Sequence, residues 1–215
     1  MYCCSHCQDA GNIFDNKTAK KELRRYLRRG HKKTTRLLLD EIKKDGVSGL
    51  TLLDIGGGIG VISFDLLESG LECSVSVDAS PAYQSVVRGE AERRGVAEKV
   101  EQVFGDYTEV CDGISDADIV TLDRVVCCYP DMEKLLDRSV DKSRRYYGLV
   151  YPRDRWMVRL AVHLGNLYFR MRRNDFRTFV HSPEVMDAGV RGKGFRVIAK
   201  RQTVAWEVAV YERVD

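Results

Sequence analysis

Leu50-Thr51-Leu52-Leu53-Asp54-Ile55-Gly56-Gly57-Gly58-Ile59-Gly60 is a short apolar run that ends in an acid and a cluster of glycines. The run lacks polar alternation, as expected for a strand buried on both faces of a parallel sheet. Its glycines let the backbone turn tightly and approach a ligand without side-chain obstruction. A helix beginning near Gly60 points its amide-bearing end toward such a ligand.

Outward from this strand, similar runs follow at Cys73 to Val77, Val100 to Phe104, Asp118 to Leu122, Tyr146 to Tyr151, Phe195 to Arg201 and Val204 to Tyr211. Helical patterns at Gly60 to Ser69, Pro81 to Arg94, Asp131 to Lys142 and Pro183 to Arg191 fall between strands. This alternation predicts an α/β fold with a doubly wound, mostly parallel, seven-stranded sheet. The last two runs are joined only around Gln202 and Thr203, so they form a hairpin that places an antiparallel strand in the sheet. Residues 152–181 read as an insertion. Upstream, Thr18 to Lys44 holds two helical stretches parted by Gly30, with Leu23, Tyr26 and Leu27 on one apolar face and Leu37, Leu38 and Ile42 on the next. Residues 1–45 are therefore expected to form a helical extension or lid, and residues 46–215 the ligand-binding domain.

The 215 residues suffice for one α/β domain with embellishments. No segment approaches the run of about 20 apolar residues that a membrane helix needs. The best stretch, Trp156 to Met171, is interrupted by Arg159, His163 and Asn166 and reads as amphipathic. No apolar leader follows Met1, so a cytoplasmic home is expected. The seven cysteines, with adjacent pairs at Cys3-Cys4 and Cys127-Cys128, then read as reduced thiols. Cys3, Cys4, His6 and Cys7 include zinc-ligand types, but four ligands from so short a stretch are sterically awkward, and no metal is expected. The net charge is +3, with twelve Lys/Arg against six Asp/Glu in residues 1–45. A solvated helix face explains that excess better than a nucleic-acid surface does.

In an open parallel sheet, ligands bind beyond the carboxyl ends of the strands. Acids stand there three times. Asp54 ends the first strand; Asp78, in Val77-Asp78-Ala79-Ser80, follows the second, where a carboxylate can accept from both hydroxyls of a ribose; Asp106, in Gly105-Asp106-Tyr107, follows the third. The glycine spacing fails the Gly-x-Gly-x-x-Gly pattern of dinucleotide enzymes, because Val61 or Ser63 falls where the third glycine belongs. This disfavours a nicotinamide-dependent oxidoreductase.

The stretch Asp-x-Gly-x-Gly-x-Gly from Asp54 to Gly60 resembles the first motif of the class I S-adenosylmethionine-dependent methyltransferases. The resemblance covers residues 46 to 150 and implies a Rossmann-like methyltransferase fold, with S-adenosyl-L-methionine as cofactor and S-adenosyl-L-homocysteine as product. It places Gly56, Gly57, Gly58 and Gly60 under the methionine and ribose, with Asp54 orienting the loop. It sets Asp78 and Ala79 at the ribose hydroxyls, Asp106 at the adenine amino group and Tyr107 beside the ring, with Asp123 completing the cofactor set.

The fourth strand runs into Asp123-Arg124-Val125-Val126-Cys127-Cys128-Tyr129-Pro130-Asp131, an outline similar to small-molecule methyltransferases of quinone biosynthesis. Cys127 and Cys128 stand where that family has two histidines, and the Asn-Pro-Pro-Tyr motif of many amino-group methyltransferases is absent. The resemblance implies a small-molecule acceptor, and the departure from its motifs leaves the acceptor atom open. The helical extension also resembles tetrapyrrole-carboxylate methyltransferases. An RNA or protein methyltransferase docking through the basic helices is the rival, and a non-enzymatic cofactor-holding module is a further one. Candidates near the transferred methyl are Asp123, Arg124, Cys127 and Tyr129, with His163 and Tyr151 from the insertion side. Core packing is expected for one cysteine of the pair, with the other turned to the pocket. Tyr151 and Trp156 with Arg153, Arg155, Arg170, Arg172, Arg173 and Arg177 read equally as a wall suited to a planar or anionic, carboxylate-bearing substrate and as a solvated charged lid. His163 and His181 could accept protons, although isolated histidines are more often structural.

Overall fold

The computed structural model describes residues 13–214; the expected thiol and imidazole cluster at Cys3, Cys4, His6 and Cys7 lies outside them. Two helices come first, α1 (Asn16–Arg29) and α2 (Lys33–Ile42). Strands and helices then alternate: β1 (Thr51–Ile55), α3 (Val61–Glu68), β2 (Cys73–Asp78), α4 (Pro81–Arg93), β3 (Val100–Phe104), the short α5 (Tyr107–Val110), β4 (Ala117–Asp123), α6 (Met132–Asp141) and β5 (Ser143–Pro152). The chain finishes with α7 (Trp156–Met171), α8 (Pro183–Gly192), β6 (Phe195–Gln202) and β7 (Trp206–Arg213).

The seven strands form one sheet in the order β3-β2-β1-β4-β5-β7-β6. Pairing from β3 through β5 is parallel, and β7 runs antiparallel between β5 and β6. The doubly wound sheet and the C-terminal hairpin agree with the reading above. Strand order reverses between β1 and β4, so a crevice opens at their carboxyl ends.

Alternate residues of each strand face opposite sides. Leu53, Val120, Tyr147, Leu149 and Tyr211 pack under α6 and α8. Leu52, Ile119, Tyr146, Val150 and Val210 pack against Leu38, Leu39 and Ile42 of α2 and Ile62 and Leu66 of α3. A fully buried leucine contributes roughly 2 kcal/mol, so α2 is bound to the sheet by three such side chains. Its approach is close: a β-carbon on Gly148 of β5 would lie 2.7 Å from Leu38 Cδ1.

Two local expectations change. Leu27, expected on an apolar face of α1, is 55% exposed, because only Ala19 of that helix is buried and the helix rests on α4 through a narrow strip. The final strand begins at Trp206 rather than Val204, since Val204 and Ala205 form the hairpin turn closed by the Thr203 amide donating to the Trp206 carbonyl at 2.8 Å.

Candidate functional site

The carboxyl ends of β1, β2, β3 and β4 open on one cavity of about 410 Å³. The glycine turn forms its floor. Gly58 has φ +55°, and a β-carbon there would meet nothing within 4 Å, so the turn leaves open space on its cavity side. Gly57 is constrained instead, because a β-carbon would strike Ser76 Oγ at 2.5 Å.

Asp78 fixes this turn to β2. Its Oδ2 accepts from the Gly58 amide at 3.0 Å and its Oδ1 from the Ser80 amide at 2.7 Å. Each carboxylate oxygen retains a further lone pair. Burial pushes the Asp78 carboxyl up to about 6 against the lowering effect of those two amides.

Asp54 is 1% exposed. Its Oδ1 accepts from the Thr121 hydroxyl at 2.7 Å, and its Oδ2 is a buried acceptor without a partner among the described residues. Burial raises this carboxyl to about 7, with the charges of Asp123 and Asp78 adding to the effect. Orphaned buried polar atoms are uncommon in folded proteins, and this one belongs to a residue that lines the cavity.

Asp106 caps the start of α5, accepting from the Thr108 amide at 2.9 Å, and also accepts from the Tyr129 hydroxyl at 2.9 Å. A cap and a cleft residue are thus the same side chain. Tyr107 borders the cavity while its hydroxyl, donating to the Arg138 carbonyl at 3.1 Å, anchors it in the core.

At the end of β4, Arg124 has φ +64° and folds its guanidinium back on its neighbour, donating to Asp123 Oδ1 at 2.9 Å and Oδ2 at 3.0 Å. Asp123 Oδ2 also accepts from the Thr35 hydroxyl of α2 at 2.5 Å. The N-terminal helices therefore wall the cavity, through Glu22, Arg25, His31, Lys32 and Thr35. Phe14 and Phe176 meet edge to face at 5.8 Å and roof it.

Asp54, Gly56, Gly57, Gly58, Asp78, Ala79, Asp106, Tyr107, Asp123, Arg124 and Tyr129 all line the cavity. Gly60 does not; it caps α3 at φ +75°, where a β-carbon would press on Phe64 at 2.9 Å. Cys127 is buried behind the wall, and Cys128 faces the cavity in its place, because β4 gives way to a tight turn over Val126–Cys128 that breaks strand alternation. The Cys128 thiol is held well above its ordinary range by Cys127 and by burial, so it stays protonated. His163 is exposed on α7 and Tyr151 is buried with its hydroxyl on Glu207 at 2.9 Å; neither reaches the cavity. The arginines of the insertion also lie outside it, and Phe176 alone of residues 152–181 lines it. His181 is structural: its Nε2 bonds the Tyr129 carbonyl at 2.9 Å, and burial lowers its proton affinity. Sequence reasoning missed Phe14, Glu22, Lys32, Thr35, Tyr83 and Phe176, which no local pattern distinguishes from ordinary helix and loop residues.

No family model matches the chain. It is 39% identical over 83 residues to the ribosomal protein L11 methyltransferase of Pelotomaculum thermopropionicum, covering 39% of this chain and 27% of that protein. It is 34% identical over 68 residues to the protein of the same name from Vibrio parahaemolyticus, covering 32% and 23%. The chain thus spans about a quarter of the length of the curated relatives it matches. Among solved structures it superimposes on magnesium protoporphyrin IX methyltransferase from Synechocystis PCC 6803 with bound SAH, at a TM-score of 0.75 and 15% identity over 95% of this chain and 98% of that one. An O-methyltransferase family protein from Burkholderia thailandensis gives a TM-score of 0.66 at 15% identity, over 84% and 56%.

Proposed function

We propose that this chain, which has the fold of the class I S-adenosylmethionine-dependent methyltransferases, binds that cofactor and transfers its methyl group to a small-molecule acceptor. The observation that carries this reading is the convergence of Asp54, Asp78 and Asp106 from three successive strands, with the glycine turn, on one cavity of about 410 Å³.

The residues fit the cofactor. Asp54 Oδ2 is a buried acceptor awaiting a donor, the open side of Gly58 leaves room for a ligand backbone, and Asp78 keeps lone pairs for sugar hydroxyls. Asp78 and Ala79 would hold the ribose, Asp106 the adenine amino group with Tyr107 beside the ring, and Asp54 with Gly56 and Gly57 the methionine end. When bound, the sulfonium supplies an already activated methyl group. The chain then contributes alignment of the acceptor and exclusion of water, worth several orders of magnitude in rate. Both oxygens of Asp123 are engaged by Thr35 and Arg124, so this acid positions rather than abstracts a proton. Cys128, held as a thiol, offers an apolar wall and no nucleophile. Arg25, Lys32 and Arg124 line the cavity, Lys32 paired with Glu22 and Arg124 with Asp123, and supply the cationic groups that suit an anionic acceptor. The small-molecule reading is supported by the roof that Phe14 and Phe176 make over the cavity.

Calorimetric titration with S-adenosylmethionine and S-adenosylhomocysteine tests the cofactor, and a labelled-methyl screen over metabolite pools tests the acceptor. Saturable binding of both, with none of a nicotinamide dinucleotide, is expected; absence of binding rejects the reading. The match to ribosomal protein L11 methyltransferases favours a second reading, a protein acceptor, which label appearing in a ribosomal protein fraction and not in metabolites would support.

A further inference from the structure

The helix α7 is built inside out. Trp156, Leu160, Leu164, Leu167, Tyr168 and Met171 recur at three- and four-residue spacing and so share one stripe. They are 76%, 49%, 56%, 47%, 54% and 76% exposed. The opposite side holds the helix to the protein: Val158 is the one buried residue, Asn166 exchanges hydrogen bonds with Thr178 at 2.8 and 2.9 Å, and Phe169 meets Phe176 edge to face at 5.6 Å. Among the described residues, nothing covers the outward stripe. Scattered exposed apolar residues need no account, but a continuous stripe along a whole helix marks a contact surface.

The charge around the stripe selects the partner. The helix carries Arg159, His163 and Arg170 and no acid, and Arg155, Arg172 and Arg173 flank its ends. Arg159 is engaged with Asp154 and Arg172 with the ring and hydroxyl of Tyr168, while Arg155, Arg170 and Arg173 are exposed. Trp156 and Tyr168, one toward each end, have an apolar ring and a polar tip, the combination found at the level of lipid headgroups. Sixteen residues rise about 24 Å, less than the roughly 30 Å of a bilayer core, so such a helix lies along a membrane and does not cross it. A second copy of this chain fits less well, because pairing two stripes brings arginines of both copies together with no carboxylate on either helix to meet them.

We propose that α7 docks the protein on an anionic membrane surface, its apolar stripe in the headgroup boundary and its arginines on lipid phosphates. This inference does not rest on methyl transfer. The inward face of α7 connects through Phe169 and Phe176 to Phe14 at the cavity roof, so docking sets the roof beside the lipid.

The test is co-sedimentation of the full chain with phosphatidylcholine vesicles and with vesicles containing roughly one-third phosphatidylglycerol. Binding to the anionic vesicles, weakened by salt, is expected, together with a blue shift of Trp156 emission read in a Trp206→Phe background. The triple variant L160Q/L164Q/L167Q is expected to lose about tenfold or more in vesicle partition, while its thermal midpoint and its S-adenosylmethionine titration stay those of the parent. Equal partition of variant and parent overturns the proposal. So does a parent that ignores anionic vesicles, or one whose stripe is consumed in a dimer that the triple variant abolishes. The cofactor titration on the same samples separates failure here from failure of the cofactor reading.

Discussion

The Thr35 hydroxyl at the start of α2 donates to Asp123 Oδ2 at the end of β4, at 2.5 Å and across 88 positions of sequence. The same hydroxyl accepts from Arg124 Nη2 at 3.2 Å, so one threonine joins the N-terminal helices to the acid and the base that close the fourth strand. Thr35 is 1% exposed, while Asp123 and Arg124, its two partners, line the cavity.

Thr35→Val keeps the shape and removes the hydroxyl. Leaving a buried carboxylate short of a donor costs about 1–2 kcal/mol. We expect cofactor affinity to fall about five- to thirtyfold by calorimetry, with faster amide exchange in the first turn of α2. If both readouts match the parent, α2 does not shape the cavity through this contact.

Asp78→Ala should weaken S-adenosylmethionine binding by about 1–3 kcal/mol, because sugar hydroxyls lose a charged acceptor and the Gly58 and Ser80 amides lose theirs. In the parent, the ligand selects the ionised carboxylate, whose proton is held in the free protein up to about 6. Affinity is therefore full above that pH and declines as pH falls through it. A dissociation constant constant from pH 8 to about pH 5 would count against Asp78 as the ribose acceptor.

Asp54→Asn tests the buried acid on the free protein. The folded carboxyl is raised to about 7 from an ordinary 3.8, so the folded state holds a proton that the unfolded chain has released across that interval. Stability from this group is fully present below about pH 4 and is lost as pH rises toward 7. Asparagine carries no such charge. The thermal midpoint of the variant relative to the parent should therefore climb between pH 4 and 7 and level off above; a difference independent of pH refutes the buried-charge account.

Gly148→Ala places a β-carbon 2.7 Å from Leu38 Cδ1, in a contact where both residues are enclosed. Overpacking of this kind costs about 1–3 kcal/mol, and Leu38→Ala alone about 2–5 kcal/mol for the cavity it leaves. Combined, the two changes relieve each other. Denaturant midpoints should show the double variant more stable than the sum of the singles predicts, and strict additivity would mean that α2 and β5 do not touch as described.

The order of strands and helices is legible in the chain because it rests on local signals. Val100 to Phe104 has the same bounds in sequence and structure, and the glycine turn after Ile55 announces itself by composition. Asp54, Asp78 and Asp106 could be placed at the cavity for the same reason, since the end of a parallel strand is a position that sequence patterns mark. Cys128 in place of Cys127 follows from a turn over Val126–Cys128 that strand periodicity does not foresee. Thr35, Glu22 and Lys32 reach the cavity only because α2 docks on the sheet and α1 rests on α4, and Trp156 faces outward only because α7 attaches by Val158 and Phe169. Local periodicity tells which residues share a face. Which way that face turns is decided by contacts between segments far apart in sequence, such as Thr35 with Asp123, whose partners carry no mark of each other in the chain.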